Sequence, residues 1–445
     1  MSSPTAHATE AAVAPRHALA GLAILVGLLS RIASLAWWPA VEALTGPTLW
    51  LGTALLWPDL PRRNRRQASM LAGMGAGLLL VAAFGYGARV DWSGVLDGNT
   101  QVVAMLVGVS FIGLIGNRRG HSRPAGAPVT GLRGLAGTWL GVHLLGTILN
   151  LSTVFMVGDR LARRAPLSMP QLLGLNRGLS SAALWSPFFA SMGIVMTLAP
   201  AMDYATVLAH GLPLALCAGL VTMIELPRRF DLSDTAGFSM SPRSLLLPVI
   251  MATLVMGFHY GLTPGLSIVS IITFLMPASA LVANLTKGPR WTLGRLHRHT
   301  LTRLPAMRGE ISLFLCAGLL TKGLSTLANA ATEGGWTLFD AFGAGEAIVS
   351  FLAVVASAVA GLHPIIGVSV LASVLDLADG QQTLFAFTAL AAWAVGTSVG
   401  PLSGINLSLQ GRYGVSGTLM MRENLRYALV MAVLVVAMIA WLARA

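Results

Sequence analysis

Apolar stretches of about 20 residues recur from residue 17 to residue 442, the length an α-helix needs to cross the hydrocarbon core of a bilayer. In that medium there is no water to bond the backbone, so each stretch must satisfy its own N–H and C=O groups as a helix. Composition points the same way. Of 445 residues, 55% are hydrophobic and 10% are charged, against about 25% charged in a soluble domain, too few to cover a water-facing surface. The formal charge is +12, from 29 Lys and Arg against 17 Asp and Glu. These cations sit in short clusters between apolar stretches and not on one face with interleaved aromatics, so topology explains them, nucleic acid is not the expected partner, and membrane lipid is. Cys217 and Cys316 each lie inside an apolar stretch without CxxC spacing or a ligand partner; they read as core thiols, with neither a disulfide scaffold nor a zinc site.

Eleven spans are expected, at 17–37, 47–60, 68–90, 100–116, 169–198, 204–226, 244–260, 262–285, 310–330, 382–410 and 425–442. The polar segment 1–16 lacks a basic start and a cleavage site, and reads as a tail before a retained first helix. Two further apolar stretches, 131–161 and 339–377, are long enough for two short passes and carry a polar or glycine-containing break near the middle. Loops rich in Lys and Arg stay in the cytoplasm. Basic clusters fall at Arg62, Arg63, Arg65 and Arg66; at Arg118, Arg119, Arg123 and Arg133; at Arg160, Arg163 and Arg164; at Arg228 and Arg229; across 287–308; and at Arg412, Arg422 and Arg426. The complementary loops 38–46, 91–99, 199–203, 261–264, 331–338 and 378–381 have no Lys or Arg and face outward. The pattern closes only if 131–161 enters and leaves from the cytoplasm and 339–377 enters and leaves from outside.

The expected fold is therefore an all-α polytopic membrane protein with about 11 transmembrane helices plus two opposed re-entrant hairpins in an inverted repeat. Residues 1–40 form the tail and first helix, 41–230 the first repeat with its inner hairpin at 131–161, 231–308 the start of the second repeat and an amphipathic cytoplasmic linker, and 309–445 the remainder with its outer hairpin at 339–377. The N-terminus is then cytoplasmic and the C-terminus periplasmic. Three segment pairs run in the same order in both halves: 103–113 with 311–323, 149–157 with 360–368, and 179–187 with 396–404. The last pair holds small hydroxyls and helix breakers at mid-span: Ser180, Ser181, Ser186 and Pro187 in one, Thr397, Ser398, Gly400, Pro401, Ser403, Gly404 and Asn406 in the other. Proline frees a carbonyl that lipid cannot satisfy, so such breaks line cavities, unless the hydroxyls merely cap the freed groups of a kink.

These segments resemble the ion transporter superfamily, which includes divalent anion/sodium symporters, arsenite and citrate permeases, and the membrane subunits of TRAP transporters. Asn150-Leu151-Ser152-Thr153 looks like a displaced first tip motif, Gly361-Leu362-His363-Pro364 is similar to a histidine-proline tip, 310–325 resembles the glycine-bearing span before the second hairpin, and 400–406 resembles the Pro/Gly/Asn break. The resemblance implies a homodimeric secondary transporter of the bacterial inner membrane, working by an elevator-type alternating-access mechanism coupled to Na+ or H+, with no cofactor. In members of that family, linkers such as 289–307 join a fixed scaffold to a moving transport domain.

The tips and breaks offer hydroxyls, amides and one histidine but no carboxylate, which suits a small anionic solute. The candidate binding residues are Asn150, Ser152, Thr153, Ser180, Ser181, Ser186, Gly361, His363, Pro364, Thr397, Ser398, Ser403 and Asn406, with His363 the group for proton coupling and the oxygens for sodium. Export of a toxic oxyanion or arsenite-like compound is the alternative. Of the other intramembrane ionisable residues, Arg31, Arg177, His210 and His259 are expected at the interface, His143 on the first hairpin arm, and Lys322 deep, paired with the solute or Glu346. A membrane enzyme is disfavoured by the absence of HExxH and GxGD; the one fragment of that kind, Gly414-Val415-Ser416-Gly417, has no histidine near it.

Overall fold

The computed structural model describes residues 15–115, 129–240, 245–332 and 337–444; the expected tail up to residue 14 and the basic residues Arg118, Arg119 and Arg123 lie outside them. Every regular element among the described residues is helical, and nine helical stretches are long and apolar enough to cross a membrane. The chain opens with α1 (Pro15–Ala36), α2 (Thr45–Leu56), α3 (Arg62–Leu80), the short α4 (Trp92–Leu96) and α5 (Thr100–Ser110). A helix pair follows, α6 (Gly131–Leu149) and α7 (Leu151–Ala162), then a broken span, α8 (Met169–Ala182) and α9 (Ala190–Leu198), and the long α10 (Tyr204–Arg229). The second half begins with α11 (Leu246–Gly257) and α12 (Ile268–Leu285), the linker helices α13 (Pro289–Arg298) and α14 (Leu304–Ala306), and α15 (Arg308–Thr332). It ends with the pair α16 (Ala344–Val359) and α17 (Pro364–Ser373), the broken span α18 (Asp379–Val399) and α19 (Gly404–Tyr413), and α20 (Gly417–Leu442).

Helix ends run past the apolar stretches. Here α3 starts at Arg62 and α20 at Gly417, because arginine stems cover apolar surface while their heads reach water, so the helix need not stop where hydropathy falls. The fragment 414–417 is a helix junction: Gly414 takes φ +74° and Ser416 Oγ accepts the Leu419 N–H at the head of α20.

Packing follows the order of the halves. Helix α3 lies along α15, and α5 along α12, with α5 and α15 in contact at the centre. Both crossings depend on missing side chains: a Cβ on Gly75 would meet the Leu319 carbonyl, and one on Gly108 the Thr273 carbonyl, each at 2.8 Å. Small residues let helix backbones approach in a membrane, where the hydrophobic effect does not drive association. A second set forms around α8 and α18, which touch each other; α6 packs on α8, α16 on α18, and α10 beside α20. Cys316 is buried in α15, whereas Cys217 is half-buried on α10, not a core thiol.

Candidate functional site

A single residue joins α6 to α7. Asn150 adopts φ +49°, ψ −138°, a backbone that asparagine tolerates better than most side chains, and its Nδ2 donates to the Phe188 carbonyl (3.1 Å) and the Ile148 carbonyl (3.3 Å). The first tip is thereby tied to the break between α8 and α9. Ser186, in that break, donates to the Thr147 carbonyl (2.6 Å), a second tie. At the other tip Gly361 takes φ +103°, and His363 caps α17 with Nδ1 accepting the Ile365 N–H (3.2 Å). Pro364 occupies the first helical position, where its missing N–H has no bond to lose.

The break after α18 is held by amides. Asn406 Nδ2 donates to the Gly400 carbonyl (2.9 Å) and the Ser398 carbonyl (3.3 Å), groups the interrupted helix leaves open, while Ser403 Oγ accepts the Asn406 N–H. Asn176 on α8 donates to Asn406 Oδ1 (2.8 Å), joining the two broken spans. Asn424 of α20 donates to the same Ser398 carbonyl, and Arg177 Nε to Asn424 Oδ1 (2.8 Å).

A cavity of about 1550 Å³ reaches both tips and both breaks. Its inner wall includes Asn150, Ser152, Ser180, Phe189, His363, Trp393, Thr397 and Gly404, so the first turns of α7, α9 and α19 border it, and α17 meets it through its cap His363. Such helix starts present unpaired N–H groups and positive dipole ends. Arg62, Arg63, Arg290, Arg295, Arg298, Arg303 and Arg308 also line it, and among the described residues Glu310 is the one acidic side chain that does.

Of the expected binding residues, Asn150, Ser152, Ser180, His363 and Thr397 are on this wall. Thr153, Ser181, Ser186, Gly361, Pro364, Ser398, Ser403 and Asn406 are not, because they shape the tips and breaks from behind. Ser398 donates to the Val395 carbonyl (2.7 Å), and Thr153 Oγ1 is buried without a partner. Ser181 bonds His143 Nδ1 (2.9 Å), whose Nε2 accepts from Trp185 Nε1 (3.2 Å). An indole only donates, so this bond keeps His143 neutral and fixes its tautomer.

The charged residues find partners the sequence does not show. Arg177 is 0% exposed, pairs with Glu225 (2.8 Å), and stacks on Tyr427 (4.4 Å). Arg229 bridges Glu225 and Glu423 in the same cluster, so the charge is compensated in place and need not reach water. Lys322 is exposed, and Glu346 spends its carboxylate on the Gly343 N–H (3.0 Å) at the head of α16. The amides Asn176 and Asn424 are not among the expected residues: Asn176 lies in the largely apolar run of α8, a signal in itself, whereas Asn424 stands among Arg422, Glu423 and Arg426.

No family model and no curated protein matches the chain. Length, apolarity and burial decide the class. The chain is an all-helical polytopic membrane protein. Among solved structures it is similar to the crystal structure of the Alcanivorax borkumensis YdaH transporter, at 16% identity and a TM-score of 0.41, over 84% of this chain and 86% of that one.

Proposed function

We propose that the protein is a secondary active transporter that moves a small anionic solute across the bacterial inner membrane by elevator-type alternating access, coupled to Na+ or H+, and that it works as a homodimer. The observation that carries this reading is one cavity bordered by three helix starts and seven arginines against a single acid. Asn150, Ser180, His363 and Thr397 would meet the solute; the remaining tip and break residues would hold them in position. Since the cavity opens among the basic residues of α3 and the linker, it faces the cytoplasm by the positive-inside rule, with the N-terminus inside and the C-terminus outside. An uncharged arsenite-like solute would make little use of these arginines, so export of an oxyanion is the form in which the alternative survives.

Proteoliposomes containing the full chain, offered labelled mono-, di- and tricarboxylates with phosphate and arsenite alongside, test the reading. Accumulation of an anion above its equilibrium level under an imposed sodium or proton gradient is the expected result. Mere equilibration would indicate a channel, and arsenite accumulation alone would contradict the anion.

A further inference from the structure

Arg303, at the end of the linker, reaches onto the first hairpin: its Nη2 donates to Ser152 Oγ, two residues beyond the Asn150 tip. The partners belong to different parts of the fold. The linker is seated on α1, where the Thr300 carbonyl lies so close to Gly21 that any Cβ there would collide with it, and His299 Nε2 bonds Ser110 Oγ of α5 (3.0 Å). Ser152 opens α7, which packs on α6 and α8. The contact is therefore a strut between the frame around α1 and the hairpin.

Its chemistry is unequal. A guanidinium is best satisfied by a planar oxyanion that takes two N–H groups at once, whereas a serine hydroxyl takes one and brings no charge, and Glu310 on the same wall acts on Arg303 through space without forming an ion pair with it. Other arginines of the wall have partners elsewhere: Arg63 on Gln410, Arg308 on the Asp59 carbonyl, Arg295 on Asn284 Oδ1. None of those three bonds reaches a hairpin tip.

Resting on the anion-carrier reading, we propose that Arg303 is the docking group for a carboxylate solute and that Ser152 holds its place in the empty carrier. An arriving carboxylate draws the guanidinium off Ser152, and the hairpin is released from the linker as the solute binds. Solute and serine then compete for one guanidinium, so the two partners have opposite effects on affinity. Removing the serine strengthens solute binding, and removing the guanidinium weakens it. A merely structural contact would move both in the same direction.

The test uses the full-length protein in nanodiscs, with succinate as probe, its diamide as the uncharged control, and hydrogen exchange across residues 149–156 in the solute-free state. Ser152→Ala is expected to raise succinate affinity several-fold and Arg303→Gln to lower it about ten-fold or more, with Arg303→Lys between because an ammonium offers no fork. Both Ser152→Ala and Arg303→Gln should speed exchange at the start of α7. Affinity shifts of the same sign, or unchanged exchange in both variants, overturn the competition. Unchanged succinate affinity in Arg303→Gln, with the wild type still binding, overturns the docking role alone. A wild type that binds neither succinate nor any carboxylate accumulated in the uptake assay overturns the docking role, whereas the anion reading beneath it falls only if no anion at all is accumulated there.

Discussion

A His363→Asn protein should lose uptake driven by a pH gradient while its second hairpin stays folded. His363 borders the cavity, its ring stands edge-on to Trp393 (5.6 Å), and its Nδ1 accepts the Ile365 N–H that starts α17. An accepting Nδ1 makes the resting ring neutral, with its proton on Nε2. Charging the ring puts a second proton on Nδ1 and removes the cap, so taking up a proton and loosening the hairpin head become one event. Asparagine reproduces the accepting atom at the N-cap without a site to take up a proton, whereas His363→Ala removes the cap as well and should cost about 0.5–2 kcal/mol. If His363 carries the coupling proton, solute exchange survives in His363→Asn and gradient-driven uptake does not. A sodium-dependent, pH-insensitive wild type would contradict this and move coupling to the oxygens of Asn150, Ser152, Ser180, Thr397 and Ser398.

Asn150→Gly and Asn406→Ala should both impair transport, but only the second should lower stability. Asn150 sits at positive φ, where glycine is unstrained, so the substitution removes the amide that holds the Phe188 carbonyl and little else. Uptake should fall about ten-fold or more, equivalent to about 1.4 kcal/mol, with unfolding near wild type. Asn406 is 0% exposed, and its side chain bonds the Ser398 and Gly400 carbonyls and the Asn176 amide. Its loss removes three buried hydrogen bonds at about 0.5–1.5 kcal/mol each, the Ser398 carbonyl keeping Asn424 and the Gly400 carbonyl the Ser403 N–H, so the unfolding temperature should drop together with transport. Full uptake in both variants would remove the tips and breaks from the mechanism. Equal destabilisation would show that Asn150 too is only structural.

Much of this fold is legible because lipid leaves the chain few options. Span length, the breakers Gly400 and Pro401, and Asn150 in the middle of an apolar stretch lead directly to helices, a break and a tip. What stayed hidden depends on partners far apart in sequence. Asn176 and Asn406 lie 230 positions apart, and Arg177 and Asn424 lie 247 apart, so nothing local distinguishes Arg177 from a residue that snorkels. Thr397 and Ser398 are neighbours with the same chemistry, yet helix rotation turns the first toward the cavity and buries the second. In sequence Arg303 is one cation of the basic cluster across 287–308, because nothing there shows that the linker's end meets Ser152.

Alternating access requires that one cavity open to each side of the membrane in turn, and Gly404 is the position from which to measure it. It lies on the cavity wall at the start of α19, and an added Cβ there meets no atom within 4 Å. In a background with Cys217 and Cys316 replaced, Gly404→Cys would be treated with a membrane-impermeant thiol reagent in inside-out and right-side-out vesicles. The predicted result is labelling from both sides, with the rate on one side falling as a gradient raises it on the other. Labelling from the cytoplasmic side alone, whatever the gradient or solute, would contradict alternating access through this cavity.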